Sequence, residues 1–102
     1  KTVIFDEVDS GLSGKVSGVI ADRIVEISKY NQVLAITHSP QVAAKADKHW
    51  KIVKKIRDSD IMESSIIELN EKERIEEIAN IFSGANLSEA SRKVAKDLLI
   101  KK

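Results

Sequence analysis

The chain has 102 residues, with 17 Lys and Arg against 16 Asp and Glu, and its net charge of +1 argues neither for nor against a nucleic-acid partner. It contains no cysteine, which excludes disulfides and thiolate metal sites. Apolar residues make up 42% and charged residues 32% of the chain, as in a soluble globular domain. No apolar run comes near the roughly 20 residues that span a bilayer, and the start does not have the pattern of a signal peptide. The sequence therefore predicts one soluble cytoplasmic domain.

Two short apolar runs rich in β-branched residues predict strands of a parallel sheet that is covered on both faces. They extend from Val3 to Phe5 and from Val33 to Ile36. Between them, apolar residues at helical spacing predict an amphipathic helix over about residues 13–29. A strand-helix-strand unit makes the two strands parallel and brings their carboxyl ends to one edge, which predicts the α/β fold class with a parallel βαβ core.

The middle of the chain predicts a short helix and then a hairpin. Ser39 is suited to cap the helix, and Pro40 to occupy its first position. Strand-like composition from Trp50 to Ile56 and from Ile61 to Leu69, around the polar break RDSD, predicts the β-hairpin. His49 and Trp50, where the hairpin begins, are interpreted as packing residues.

Two further helices are predicted at the end of the chain. Asn70 and Glu73 have the spacing of a capping box, and Gly84 is suited to end the helix that they begin. Ser88 is suited to cap the last helix, which closes in a lysine-rich segment that complements the helix dipole. The predicted order is thus a βαβ core, a hairpin and two C-terminal helices.

Polar side chains follow both strands of the predicted parallel sheet. Asp6 and Glu7 follow the first strand, and Thr37 and His38 follow the second, at the edge where open α/β sheets bind ligands. An apolar strand followed by Asp-Glu is the Walker B arrangement. Its first carboxylate helps hold magnesium through the waters of the ion, and its second orients or deprotonates the water that attacks a γ-phosphate. A histidine on the neighbouring strand end can sense or polarise that phosphate.

Structural interpretations of the same residues stay open at this point. An Asp-Glu pair after a strand also occurs as a turn with capping residues, and His38 taken alone is suited to a loop. Gly11 and Gly14 are suited to turns, and the GKVS that begins at Gly14 lacks the spacing of a phosphate loop.

Two long motifs carry a resemblance to a known family. TVIFDEVDSGLSG, followed after one helix by QVLAITHSPQVAAKADKHWKIVKK, resembles the end of the ATPase head of the RecN-like family, an SMC-like branch of the ABC ATPases that acts in bacterial double-strand-break repair and recombination. The resemblance continues through LNEKERIEEIANIFSG and ASRKVAKDLL, so it covers essentially the whole chain. It implies that residues 1–102 form the C-terminal lobe of an ABC-type head.

The resemblance also implies roles for individual residues. Asp6 would be the magnesium-associated Walker B aspartate, Glu7 the catalytic glutamate and His38 the switch histidine at the γ-phosphate. The D-loop, which lies across the interface between two heads, would comprise Ser10, Gly11, Leu12 and Ser13. Ser13 stands where the broad ABC pattern has Asp, as is usual in the RecN-like branch, and Ser39 stands where many relatives are expected to have Leu.

Other parts of such a head are absent from this sequence. It contains no GxxxxGK[ST] phosphate loop, Q-loop, signature motif or coiled coil. Because the backbone amides and the lysine of the phosphate loop cradle the phosphates, the chain without that loop is expected to be a fragment that is inactive alone and binds little ATP. The resemblance implies ATP and magnesium as ligands of the full-length protein. It implies as partners the N-terminal lobe, a second head of a homodimer and DNA, with no membrane, in the nucleoid region of a bacterial cytoplasm.

Two alternatives belong to different classes. A DExD-box helicase also has Asp-Glu-x-Asp after a strand, but it would carry Ser-Ala-Thr on the next strand, where this chain has THSP. A non-catalytic oligomerisation or binding module would use the same acids only as helix caps.

Overall fold

The computed structural model describes residues 1–7, 11, 13–58, 61–84 and 86–100. It confirms the α/β class, with a parallel strand pair, an antiparallel hairpin and C-terminal helices. The elements in chain order are β1 (Thr2–Asp6), α1 (Gly14–Ser28), β2 (Gln32–Ile36), α2 (Pro40–Lys45), β3 (Trp50–Arg57), β4 (Ile61–Glu68), α3 (Glu71–Ser83) and α4 (Glu89–Ile100).

Strands β1 and β2 pair in parallel, in a register that extends from Thr2 opposite Gln32 to Asp6 opposite Ile36. Their carboxyl ends therefore lie at one edge, as predicted. The prediction that both faces are covered is wrong for the described residues, because Ile4 is 64% exposed. The alternation of a strand places Val3, which is half-buried, on the opposite face.

Helix α1 begins at a capped N-terminus and packs closely against α2. The Ser13 side chain accepts a hydrogen bond from the backbone N–H of Val16 at 3.4 Å. Ser17 and Ala21 are the buried residues of α1, and both are small enough to allow close approach of a neighbouring backbone. A methyl group at Gly14 would lie 3.1 Å from Nε2 of Gln41, so the beginnings of α1 and α2 are adjacent.

Strands β3 and β4 form the predicted hairpin, paired from Trp50 opposite Glu68 to Arg57 opposite Ile61. Trp50 is 56% exposed and donates its indole N–H to Oε1 of Glu68 at 3.1 Å, so its interpretation as a packing residue is wrong. Asp58, the residue directly after β3, has φ +49°, a conformation that Asp tolerates better than most residues.

The hydrophobic core lies between α2, α3 and α4 rather than on the parallel strands. Among the described residues, Ile78 is the largest fully buried side chain. The buried residues around it are alanines, which allow the three helices to approach closely. Partly buried aliphatic side chains close the rim of the cluster. The buried members are Ala43, Ala44, Ile78, Ala79 and Ala95, with Ile75, Leu98 and Leu99 packed against them.

The caps of the last two helices confirm the sequence predictions. Asn70 and Glu73 form a reciprocal capping box, with bonds of 2.8 Å and 2.9 Å. Gly84, at the end of α3, has φ +69°, a conformation that glycine adopts without strain. The Ser88 hydroxyl accepts a hydrogen bond from the Ser91 N–H at 3.1 Å at the start of α4. Among the described residues, no helix is both long enough and apolar enough to cross a membrane.

Candidate active site

The candidate site lies at the edge where β1 and β2 end. Oε1 of Glu7 lies 2.8 Å from Nδ1 of His38, which is the distance of a direct hydrogen bond. The His38 side chain is 86% exposed and the Glu7 side chain 44% exposed, so both can be reached from solvent. The parallel topology thus brings together two residues that are 31 positions apart in the chain.

The backbone of Glu7 has an unusual conformation. Its N–H donates to the carbonyl oxygen of Ile36 at 2.8 Å, which extends the ladder of the two strands by one bond. Its φ of +53° lies in the left-handed region, which costs a residue other than glycine about 1–2 kcal/mol. Such strain clusters at functional sites. Here it turns the chain sharply after Asp6, the exposed last residue of β1.

His38 occupies a short connection between β2 and α2 that is held by side-chain hydrogen bonds. Oγ1 of Thr37 accepts a bond from the backbone N–H of Ser39 at 2.9 Å. The hydroxyl of Ser39 in turn accepts a bond from the N–H of Val42 at 3.3 Å, which confirms Ser39 as the cap of α2. Because Ser39 is buried, the backbone on the C-terminal side of His38 is fixed by helix α2.

A cleft of about 370 Å³ opens beside the Glu7–His38 pair. Its walls come from the strand ends, from the beginnings of α1 and α2, and from the end of α3. Phe82, near the end of α3, is 55% exposed and lies beside the cleft. The cleft is lined by Glu7, Gly11, Gly14, Ser17, His38, Ser39, Pro40, Gln41, Ile81 and Phe82.

The predicted D-loop lies only partly within the described residues. Ser10 and Leu12 lie outside them, so their predicted roles stay predictions. Gly11 lines the cleft and has φ +76°, which only glycine adopts readily. Ser13 caps α1. Among the described loop residues, Gly11 therefore lies at the wall of the cleft and Ser13 at the start of α1.

The donor groups at this edge fit magnesium only in its water-bound form. No group of three or more His, Cys, Asp or Glu side chains that could hold a metal occurs among the described residues. Magnesium usually keeps several waters and binds through one or two carboxylates together with substrate phosphates. Asp6, exposed at the strand end beside Glu7, can supply such a carboxylate.

The second histidine lies away from this edge. His49 precedes β3, and its Nδ1 is buried without a hydrogen bond to the described residues. Burial is the main cause that lowers the pKa of His49 below its usual value. The positive charges of Arg74 and Lys51 lower the pKa further, while Glu77 opposes them. His49 is therefore a neutral structural residue near neutral pH.

The fold has a clear counterpart among solved structures. A chain described under "Structural biochemistry of ATP-driven dimerization and DNA stimulated activation of SMC ATPases" superposes with a TM-score of 0.62 at 27% identity, over 83% of this chain and 50% of that one. No protein family model matches the chain. The strand-end site and this similarity define the class: a segment with the fold of an SMC-type ATPase.

Sequence relatives identify the family within this class. The chain is 44% identical to the DNA repair protein RecN of Rickettsia conorii, 45% to that of Halalkalibacterium halodurans and 41% to that of Bacillus subtilis. Each of these matches covers 96% of the present chain. The chain belongs to the RecN family. It spans only 17–18% of the length of these relatives and so corresponds to one segment of them.

Proposed function

We propose that this segment supplies the hydrolytic edge of an ATPase head in a bacterial DNA repair protein. The observation that carries the proposal is the contact of Glu7 with His38 at the ends of two parallel strands. The DNA repair name of its RecN relatives and its likeness to an SMC ATPase support it. Residues 1–102 would form the C-terminal lobe, and the phosphate loop would come from the remainder of the protein.

Each residue at the edge has a chemical task in this proposal. Glu7 orients the attacking water and accepts its proton, because its carboxylate is accessible from the cleft. Nδ1–H of His38 donates to Glu7, and a contact of Nε2 with an oxygen of the γ-phosphate requires the imidazolium form, in which Nε2–H is a donor as well. Asp6 helps hold magnesium, which neutralises charge on the phosphates when bound.

A second head is the proposed partner across the cleft. The loop of residues 10–13 is the D-loop of this proposal and would contact ATP and the opposite head. Closing and opening of paired heads, driven by binding and hydrolysis, would be coupled to DNA during recombinational repair. The protein would therefore act in the cytoplasm at the nucleoid.

Replacement of Glu7 by Gln in the full-length protein tests the proposal. Glu7→Gln keeps the size of the side chain but removes the general base. We expect ATP binding to persist, steady-state hydrolysis to fall by about 10²–10⁴-fold, and head dimers to accumulate with ATP. Phosphate release measures hydrolysis, and size-exclusion chromatography with light scattering measures dimers.

Glu26→Gln is the matched control. Glu26 lies on the exposed surface of α1, where its only described ion pair is with Arg23. Exposed pairs of this kind contribute little, so the control should hydrolyse ATP at the wild-type rate. Wild-type turnover in Glu7→Gln would remove Glu7 from the catalytic role and with it the proposed function.

A further inference from the structure

A buried arginine joins helix α3 to the end of helix α2. Arg74 is only 8% exposed, which is unusual for a charged side chain. Its Nη2 donates to the carbonyl oxygens of Ala43 at 3.0 Å and of Ala46 at 2.9 Å. These two residues belong to the last turn and the C-cap of α2. The guanidinium therefore binds the end of helix α2, whose N-cap Ser39 directly follows His38.

Helix α2 needs such an anchor because it has only six residues. At 1.5 Å per residue it is about 9 Å long, far below the length at which isolated helices hold their shape. The last carbonyl groups of a helix lack the usual partners four residues on, and in α2 the Ala43 carbonyl accepts only a long 3.4 Å bond from the C-cap N–H of Ala46 within this segment. A cation at this end complements the helix dipole. Arg74 satisfies two of these carbonyls from another element.

The opposite end of α2 forms part of the cleft. Ser39 and Pro40, at that end, line the cleft together with His38. The buried residues Ala43 and Ala44 pack α2 against α3 and α4. A displacement of the anchored end would therefore move the short helix as one body, and His38 with it.

We propose that Arg74 is a positioning residue for His38, acting through helix α2. This inference rests on the proposed function, since it assigns Arg74 to the same hydrolytic edge. Arg74 itself touches no reacting group. Its Nε is buried without a hydrogen bond to the described residues, and that arrangement costs stability. The cost is consistent with a side chain retained to fix the position of α2.

The test uses Arg74→Met in the full-length protein, with Arg92→Met as control. Arg92 also joins two helices, but through a partly exposed ion pair with Glu76. For Arg74→Met we expect kcat to fall by roughly tenfold to a hundredfold, because small misplacements of catalytic groups cost that much. KM for ATP should stay unchanged, since His38 acts on the γ-phosphate in the transition state. Arg74→Lys should restore part of kcat because it can reach one carbonyl.

A double-mutant cycle with His38→Ala separates positioning from general destabilisation. If Arg74 acts through His38, adding Arg74→Met to His38→Ala should lower kcat no further. If Arg74→Met lowers kcat in the His38→Ala background by the same factor as in the wild type, the inference is overturned. Hydrogen exchange of residues 37–46 gives a second measurement that is independent of turnover. Exchange should be faster in Arg74→Met than in Arg92→Met, and equal exchange would also overturn the inference.

The two proposals fail in different ways. Wild-type turnover in Glu7→Gln refutes the proposed function whatever Arg74 does. Loss of turnover in Glu7→Gln together with additive effects in the Arg74 cycle refutes only the positioning role. If Arg74→Met does not fold, as judged by its thermal transition, Arg74→Lys replaces it in the double-mutant cycle. An effect on kcat that disappears in the His38→Ala background then supports the positioning role, and an additive effect refutes it.

Discussion

Truncation of Ile78 to alanine should destabilise the protein more than any surface change. Ile78 is fully buried, and its closest cluster neighbours include four alanines. Burial of such a side chain stabilises the fold by about 1.5–3 kcal/mol, and the cavity left by truncation raises the typical cost to about 2–5 kcal/mol. Alanine side chains cannot rotate into the space, so the upper half of that range is expected.

Urea unfolding followed by circular dichroism at 222 nm measures this cost. The midpoint should fall while the m-value stays constant, because the surface exposed on unfolding hardly changes. Ile100→Ala is the control, since Ile100 lies on a helix but is 81% exposed. It should change the free energy of unfolding by less than about 0.5 kcal/mol. If Ile78→Ala cost no more than this control, the core would not lie between α2, α3 and α4.

Two further predictions concern stability. Asn70→Ala removes the capping box with Glu73 and should cost about 0.5–2 kcal/mol in urea unfolding; a loss below a few tenths would contradict the cap. His49 has a lowered pKa in the folded chain, so the unfolded chain takes up its proton first as the pH falls through about 6.5. Stability should therefore decline below that pH, and His49→Gln should decline less between pH 7.5 and 5.5. Parallel pH profiles for the two proteins would show that the His49 environment makes no contribution.

Local features were predictable because neighbouring residues determine them. The capping box at Asn70, the cap at Ser39 and the glycine at the end of α3 each depend on bonds or backbone angles within four residues. The hairpin was predictable for the same reason, since only a short polar segment of the sequence separates its two strands. The Glu7–His38 pair was predictable from topology, because parallel strands place their carboxyl ends together.

Features set by short-range interactions differ in this respect from features set by packing between distant segments. The order of helices and strands, their caps and the set of polar residues at one sheet edge follow from short-range periodicity and backbone preference, so they can be predicted from the chain. The location of the core between three helices, the place of Phe82 beside the cleft and the contact of Arg74 with the end of α2 appear only in the folded molecule. The physical reason is that burial and hydrogen bonding of a side chain depend on which distant surface meets it, and helical spacing alone does not specify that surface.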